Sequence, residues 1–244
     1  MKKKILLTIS LILVFSICIS VAIFSANGAE TDTMKAFQVA AQSYKTVCDT
    51  SFDTEDPDLG EYAIVGYYKD VPITQNQVAY KQAMDQLNQN PKKTEKETVF
   101  AVAQDLFTFE QAKNLGLYPS EEEMDEAFVA ETESFQANLE ENLELCTQIG
   151  FTQDELIAWM TQQRIENIAK CRFMAQVLIS LQEEEEIDDE ILAELVHALV
   201  LREEGTDLLS TFDKFYDRYV TLQIGDQITY VNEDTGEENN IVSE

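Results

Sequence analysis

Strand and helix signals follow each other directly in Ile64-Val65-Gly66-Tyr67-Tyr68-Lys69-Asp70-Val71-Pro72-Ile73-Thr74-Gln75-Asn76-Gln77-Val78. Apolar and aromatic residues from Tyr62 to Tyr67 favour a short strand, and Lys69-Asp70 favours a turn after it. The residues Pro72-Ile73-Thr74 are typical of a segment that leads into a helix. Thr74 is the expected N-cap, because its hydroxyl can accept a hydrogen bond from an amide of the first helical turn. The stretch therefore predicts a strand, a turn and a helix start at the beginning of a domain.

Further helix boundaries follow along the chain. The S/T-x-x-E pattern recurs at Thr94-Glu95-Lys96-Glu97, Ser120-Glu121-Glu122-Glu123 and Thr152-Gln153-Asp154-Glu155. In this pattern the first and last side chains bond reciprocally to backbone amides at a helix N-terminus. Gly116 and Gly150 mark helix ends, since glycine readily takes the left-handed conformation that closes a helix. These signals predict helices near residues 75–89, 95–115, 121–149 with room for one break, and 153–182.

The segments that flank these helices have weaker signals. Glu30–Cys48 places apolar residues at helical spacing, and an acidic stretch with proline and glycine follows it up to Gly60. On the other side, Ile191–Leu201 and Asp207–Tyr219 predict helices, and Val220–Val231 predicts a hairpin that turns at Gly225-Asp226. The strand near Tyr62 is expected to pair with this hairpin.

The expected fold class is mainly α, with a small β element and a closing C-terminal helix. The chain has 244 residues, and 45% of them are hydrophobic, which is enough to bury a core. The expected organisation is a signal peptide or N-terminal membrane anchor at residues 1–29, a helix and acidic linker at 30–60, a helical domain at 61–231 and a polar tail at 232–244.

The N-terminal segment has the parts of an export signal. Met1–Lys4 is positively charged, Ile5–Phe24 is apolar, and Ser25–Ala29 supplies small residues. The apolar run is long for a cleaved signal peptide and just long enough to span a bilayer as one helix, so both outcomes stay open. Lysines before the run and acidic residues after it predict that the remaining chain is extracytoplasmic, either secreted or anchored at the cell membrane.

Composition and motifs argue against several functions. The net charge of -29 repels phosphate backbones, so nucleic-acid binding is not expected. His197 is the only histidine, and its apolar helical surroundings indicate packing instead of the base of a nucleophilic triad. The chain has no HExxH motif and no glycine-rich phosphate loop. We therefore expect no catalytic residue, no metal and no cofactor. Cys146 and Cys171 lie on neighbouring predicted helices, and either a disulfide or two thiols fits that placement.

Three ordered motifs connect the chain to a known family. They are Ile64–Val78, then Gln111–Leu117 followed by Ser120–Asp125, and finally Ile149–Leu156. In this order they resemble the N-terminal chaperone domain of the SurA/PrsA-type extracytoplasmic foldases. The resemblance extends over about half of the chain, and it implies that family's helical fold and its holding activity.

The module that gives many of these foldases their enzymatic activity is missing from the pattern. A parvulin domain would follow the chaperone domain, but only a short acidic and helical insert separates Leu181 from the expected closing helix at Asp207. The resemblance thus implies an ATP-independent chaperone, or holdase, that binds unfolded or nascent exported polypeptides and is not an enzyme. Two alternatives stay open, a membrane-anchored adaptor or subunit that binds one specific protein, and a degenerate peptidyl-prolyl isomerase. The oligomeric state is not predicted.

Large apolar side chains on the predicted helices are the candidates for client contact. Aromatic and methionine surfaces can adapt to varied unfolded segments without requiring one sequence. Ordinary core packing is the competing interpretation of the same side chains. The candidate client-binding residues are Phe128, Phe135, Phe151, Trp159 and Met160.

Overall fold

A computed structural model describes residues 31–49, 63–88, 90–183, 216, 219–221, 223–224, 227–231 and 238–240. The described residues are mainly helical and include a small antiparallel sheet, which confirms the expected fold class at that level. The helices are α1 (Thr31–Asp49), α2 (Gln75–Leu87), α3 (Glu95–Asn114), α4 (Glu121–Ala137), α5 (Leu139–Ile149) and α6 (Gln153–Glu183). The strands are β1 (Ile64–Tyr68), β2 (Val71–Thr74), β3 (Ile228–Val231) and β4 (Glu238–Asn240).

Four helix starts form capping boxes, which are the three that the sequence predicts and a fourth at Thr74, predicted as an N-cap. At each start the backbone amide of the capping residue donates to the side chain three residues later, at 2.6–2.9 Å. The amide of that later residue donates back to the capping hydroxyl at 3.2–3.4 Å. The pairs are Thr74 with Gln77, Thr94 with Glu97, Ser120 with Glu123, and Thr152 with Glu155. These reciprocal bonds satisfy amides that have no partner inside the helix.

Glycines also end helices where the sequence predicts. Gly116 and Gly150 have φ values of 66° and 74°, which lie in the left-handed region that glycine adopts at little cost. The segment predicted as one helix over residues 121–149 is broken once, at Asn138, into α4 and α5.

The strand-to-helix stretch forms a β-hairpin before its helix. Lys69-Asp70 makes the turn between β1 and β2, as predicted, and Thr74 caps α2. Pro72–Thr74 leads directly into α2, as predicted, and these residues also form β2 and pair with β1, which the sequence did not predict. Proline is tolerated there because β2 is the edge strand of the order β2-β1-β3-β4, where its missing amide costs no ladder bond.

The C-terminal region adds two strands to the hairpin. β3 pairs antiparallel with β1, which confirms the predicted pairing, and β4 pairs with β3 from within the predicted polar tail. The β character predicted from Val220 to Ile224 is wrong, since residues 219–221 and 223–224 are helical. A Cβ atom on Gly66 would lie 2.7 Å from the backbone oxygen of Thr229, so the contact between β1 and β3 requires glycine.

Several predicted segments lie outside the described residues. They are the signal or anchor at residues 1–29, the linker from residue 50 to 60, the helix at 191–201 with His197, the turn at 225–226, and most of the helix at 207–219. Among the helices of the described ranges, none combines the length and apolarity needed to cross a bilayer.

The chain divides into two compact units. Within the described ranges, unit 1 comprises residues 107–131, 160–183, 216, 219–221 and 223, and unit 2 comprises residues 31–49, 63–88, 90–106, 132–159, 224, 227–231 and 238–240. In unit 1, the ring of Phe173 contacts Phe107 and Tyr216 at centroid distances of 5.9 and 6.4 Å. The Tyr216 and Thr108 hydroxyls are 2.9 Å apart. Tyr216, from the expected closing helix, therefore packs within the core of unit 1.

Candidate polypeptide-binding site

An aromatic cluster surrounds Trp159, the only tryptophan of the chain, in unit 2. Its ring centroid lies 6.3 Å from that of Phe37, 5.9 Å from that of Tyr44 and 5.5 Å from that of Phe151. The indole nitrogen donates a hydrogen bond of 3.0 Å to the Tyr80 hydroxyl. Trp159 is 5% exposed, so this bond satisfies a donor that would otherwise be buried without a partner. These five residues are called the aromatic cluster below.

The cluster is assembled from segments far apart in sequence. Phe37 and Tyr44 lie two turns apart on α1, and Tyr80 comes from α2. Phe151 occupies the connection between α5 and α6, where its amide donates to the Cys146 carbonyl at 2.9 Å. Because Gly150 ends one helix and Thr152 caps the next, the position of Phe151 is fixed from both sides.

Helix α1 packs against α2 and also contacts α5 through a face of small residues. The buried positions on α1 are Ala36, Ala40, Ala41 and Ser43. Small side chains let two helices approach closely, but each buries little apolar area. Phe37 and Tyr44 are partly exposed, so α1 does not bury its two rings fully.

Polar contacts from α1 hold the C-terminal end of α5. The Lys45 ammonium donates to the Gly150 carbonyl at 2.7 Å, forms an ion pair with Glu155 at 3.0 Å and lies 4.9 Å from the Phe151 ring centroid. The Gln38 amide donates to the Gln148 carbonyl at 3.0 Å. Both side chains satisfy carbonyls at a helix end, where a positive charge is also favourable.

Glu155 has two roles at this point. Its carboxylate accepts the Thr152 amide in the capping box of α6 and also pairs with Lys45. The Thr152 amide and then the Lys45 ammonium hold the pKa of Glu155 below its ordinary value of 4.5. The carboxylate is therefore charged at neutral pH, and its pair with Lys45 attaches α1 to the start of α6.

The predicted client-binding residues separate into different environments. Phe151 and Trp159 lie together in the aromatic cluster, and Phe135 is fully buried elsewhere in unit 2. Phe128 and Met160 belong to unit 1, where Phe128 is 50% exposed and Met160 is partly exposed.

Sequence reasoning did not assign Phe37, Tyr44 or Tyr80 to the site. The helical spacing of Phe37 and Tyr44 was visible in the sequence, but nothing in it identified Trp159 as their partner. Tyr80 had no signal beyond its position on an expected helix.

Exposed large apolar side chains occur as one pair in unit 1 and one pair in unit 2 between residues 128 and 143. Six such side chains are exposed in the described ranges, and four of them lie between residues 128 and 143. These four are Phe128 and Val129 on α4 and Leu139 and Leu143 on α5. Leu139 and Leu143 are one turn apart, beside the face on which Asn142, Cys146 and Ile149 are buried.

The sequence around these side chains carries negative charge only. No lysine or arginine occurs from Asn114 to Gln163, whereas this stretch contains twelve acidic residues. Each pair of exposed apolar side chains, with only acidic residues near it in the sequence, suits a partner that is both basic and apolar.

Unit 1 contains two arginine–glutamate pairs. Arg172 binds Glu123 through two hydrogen bonds of 2.5 and 3.1 Å and also donates to the Leu117 carbonyl at 3.4 Å. The hydrogen bonds from Arg172 lower the pKa of Glu123 to about 2. Arg164 binds Glu131 at 2.8 Å, where burial raises the pKa of Glu131 although the guanidinium opposes that shift. Because each carboxylate is paired with an arginine, we interpret both pairs as stabilising the fold of unit 1.

The cysteines and acidic residues do not form a reactive site in the part of the chain that the structure describes. Cys146 and Cys171 are both thiols, and burial raises the pKa of Cys146, which keeps it in its unreactive protonated form. No group of three side chains able to hold a metal ion occurs within the described ranges.

Comparison with protein-family models, with curated proteins and with solved structures finds no match to this chain.

Proposed function

We propose that the chain is an ATP-independent holdase of the SurA/PrsA chaperone-domain type, which acts outside the cytoplasm on unfolded exported polypeptides and has no prolyl isomerase activity. The observation that carries the proposal is that each unit presents a pair of exposed apolar side chains, on α4 in unit 1 and on α5 in unit 2, within a stretch of sequence whose charged residues are all acidic. The export-type N-terminus and the three family-like motifs support the same function.

The physical chemistry of α4 and α5 favours transient contact with unfolded chains. Phe128, Val129, Leu139 and Leu143 are between 38% and 54% exposed, so an apolar segment can cover them without any rearrangement of the core. The surrounding carboxylates keep the protein soluble and attract segments that carry lysine or arginine. We therefore expect clients to bind through apolar segments with flanking basic residues, and to bind less well as salt is raised.

Suppression of aggregation tests this function directly. A reduced, unfolded secreted protein is diluted with and without the chain, and light scattering is followed. We expect the chain to lower the scattering, and the double variant Val129→Gln/Leu143→Gln to need a several-fold higher concentration for the same effect.

A matched control separates the site from general hydrophobicity. The double variant Val39→Gln/Leu115→Gln removes one valine and one leucine of similar exposure, both outside residues 128–143. It should hold the client as well as the unmodified chain does. Equal losses in the two double variants would contradict the assignment of client contact to the exposed pair on α4 and the exposed pair on α5.

The same preparation also tests the alternatives. No suppression at molar excess would remove the holdase proposal and favour an adaptor, which should then retain one stoichiometric partner in a pull-down. Catalysis of a proline-limited peptide isomerisation would contradict the absence of isomerase activity.

A further inference from the structure

The surface that α1 covers has the chemistry of a binding site for a helix. Tyr80, Phe151 and Trp159 supply three aromatic rings, and the rings of Phe37 and Tyr44 on α1 pack against them. The Glu155 carboxylate and the carbonyls of Gln148 and Gly150 supply acceptors for side chains of α1. These groups of unit 2 are called the α1-binding surface below.

We infer that the α1-binding surface is a client site, that α1 occupies it in the absence of a client, and that an amphipathic helix of an exported polypeptide displaces α1. This inference rests on the proposed holdase function and names the client chemistry of a second site. The occupant is defined by what α1 presents, namely small residues on the packing face, two aromatic residues seven positions apart, and a lysine directly after the second one.

The contacts that α1 makes with this surface are of a kind that another helix can replace. Its fully buried positions are mainly alanines, each of which removes one methyl group from water, whereas the surface beneath contributes large aromatic rings. Its two aromatic residues stay partly exposed. Its polar contacts depend on Lys45 and Gln38, and the Lys45–Glu155 pair is partly exposed and weakened by salt.

The sequence after α1 explains why clients of low affinity would not displace it. Only residues 50–63 separate Asp49 from the first residue of β1, so α1 stays covalently close to its site. A tethered ligand acts at a high effective concentration, and a free competitor must exceed it in affinity or abundance. A client must therefore exceed a threshold of affinity or concentration to displace α1, and α1 covers Tyr80, Phe151 and Trp159 when no client is present.

One substitution on α1 should open the site in the full chain. Ala40→Glu places a charge and four extra heavy atoms at a fully buried position, whereas Val39→Glu adds the same charge at the adjacent exposed position. Because Trp159 is the only tryptophan, its quenching by acrylamide reports directly on the site. We expect a several-fold increase in quenching for Ala40→Glu, little change for Val39→Glu, and nearly unchanged helical circular dichroism in both.

Peptides added in trans test what the open site accepts. The first is a fluorescein-labelled peptide of residues 31–49 with Cys48→Ser, and the second keeps only the alanine, aromatic and lysine positions of α1 in an otherwise different helical sequence. Both should bind the Ala40→Glu chain, bind the Val39→Glu chain several-fold more weakly, and lose binding when the peptide itself carries Ala40→Glu. Binding of both peptides should restore the protection of Trp159 from acrylamide.

Each alternative outcome contradicts a defined part of the inference. If Trp159 becomes accessible while neither peptide binds, the surface is not a helix site. If only the 31–49 peptide binds and the Ala40→Glu chain dimerises, the occupant is α1 of a second copy and not a client. If Ala40→Glu and the milder Lys45→Ala both lose helical signal together with Trp159 protection, α1 is an integral part of the core and does not exchange.

The aggregation assay keeps this inference separate from the proposed function. If the unmodified chain suppresses aggregation but the Ala40→Glu chain is no better and binds no peptide, the inference fails and the holdase proposal stands. If neither chain suppresses aggregation, the holdase proposal fails whatever the peptides do. We expect the Ala40→Glu chain to suppress aggregation at a several-fold lower concentration.

Discussion

Trp159 and the two arginines of α6 contribute to the two units through different kinds of interaction. In unit 2, Trp159 on α6 is packed among four other rings. In unit 1, Arg164 and Arg172 on the same helix bind glutamates of α4. Burial of rings contributes in proportion to apolar area and does not depend on pH, whereas a carboxylate pair contributes only while the acid is ionised. A single helix can therefore contribute some interactions that persist in acid and others that are lost in acid.

Removal of the Trp159 ring should have the largest effect on stability. Trp159→Ala leaves a cavity in the aromatic cluster, and we expect it to lower the free energy of unfolding by about 3–5 kcal/mol. Trp159→Phe keeps a ring and loses only the hydrogen bond to Tyr80 and part of the side-chain volume. The free energy of unfolding should therefore fall by about 1–2 kcal/mol. Urea unfolding followed by circular dichroism measures both. Equal losses would mean that ring packing does not stabilise unit 2.

Removal of the Arg172 guanidinium should have an intermediate effect. Arg172→Ala removes the double hydrogen bond to Glu123 and the bond to the Leu117 carbonyl, and we expect a loss of about 1–2 kcal/mol because the pair is partly exposed. Arg172→Lys keeps the charge but cannot form the double bond, so it should recover only part of the loss. Full recovery by lysine, in the same urea assay, would show that charge alone stabilises unit 1.

Acidification should destabilise unit 1 by protonating Glu123. The pKa of Glu123 is about 2 in the folded chain against an ordinary 4.5, so its contribution is complete above pH 4.5 and is lost as the pH falls toward 2. Because the side chain is partly exposed, we expect a loss of about 1 kcal/mol or less. Glu123→Gln should lower stability at neutral pH and flatten its dependence over this interval.

The control for the pH experiment is Glu122→Gln, which removes the same charge at an exposed neighbouring position of α4. Its pH profile, measured by urea unfolding at each pH, should match that of the unmodified chain. A profile as flat as that of Glu123→Gln would mean that the total charge of α4, and not the pair with Arg172, causes the acid sensitivity.

The smallest expected effect lies in the hairpin of unit 2. Lys69 has a φ of 53°, the one positive value for a residue other than glycine in the described ranges. Lys69→Gly removes this strain, and we expect a gain of up to about 1 kcal/mol. Asp70→Gly is the control, since its φ is not positive and glycine there should lower stability through chain entropy. A gain from Asp70→Gly as well would contradict the strain argument.

Sequence patterns predicted the features that depend on neighbouring residues. The capping boxes, the glycine ends and three helices at nearly their observed bounds, with the outer ends of the segment 121–149, follow from bonds that form within one helical turn. The turn at Lys69-Asp70 and the strand before it are equally local. These signals work because the atoms that satisfy each other are only a few positions apart.

Patterns failed where a distant partner decides the structure. The local pattern predicted the helix start at Thr74, but it did not predict that Pro72–Thr74 forms a strand, because the strand depends on pairing with β1. The five candidate client residues show the same limit, since apolar residues at helical spacing are compatible with a core and with an exposed surface. Only packing separates the buried Phe135 from the half-exposed Phe128.

The capping boxes of α4 and α6 have a consequence for hydrogen exchange. Amides in the first turn of a helix normally exchange quickly because helix ends fray. Glu123 and Glu155, however, are each held by a distant cation, Arg172 and Lys45 respectively, while they cap their own helices. Fraying at either end must therefore also break a tertiary ion pair, so the amides of Glu123 and Glu155 should exchange more slowly than that of Glu97, which caps α3 with Thr94.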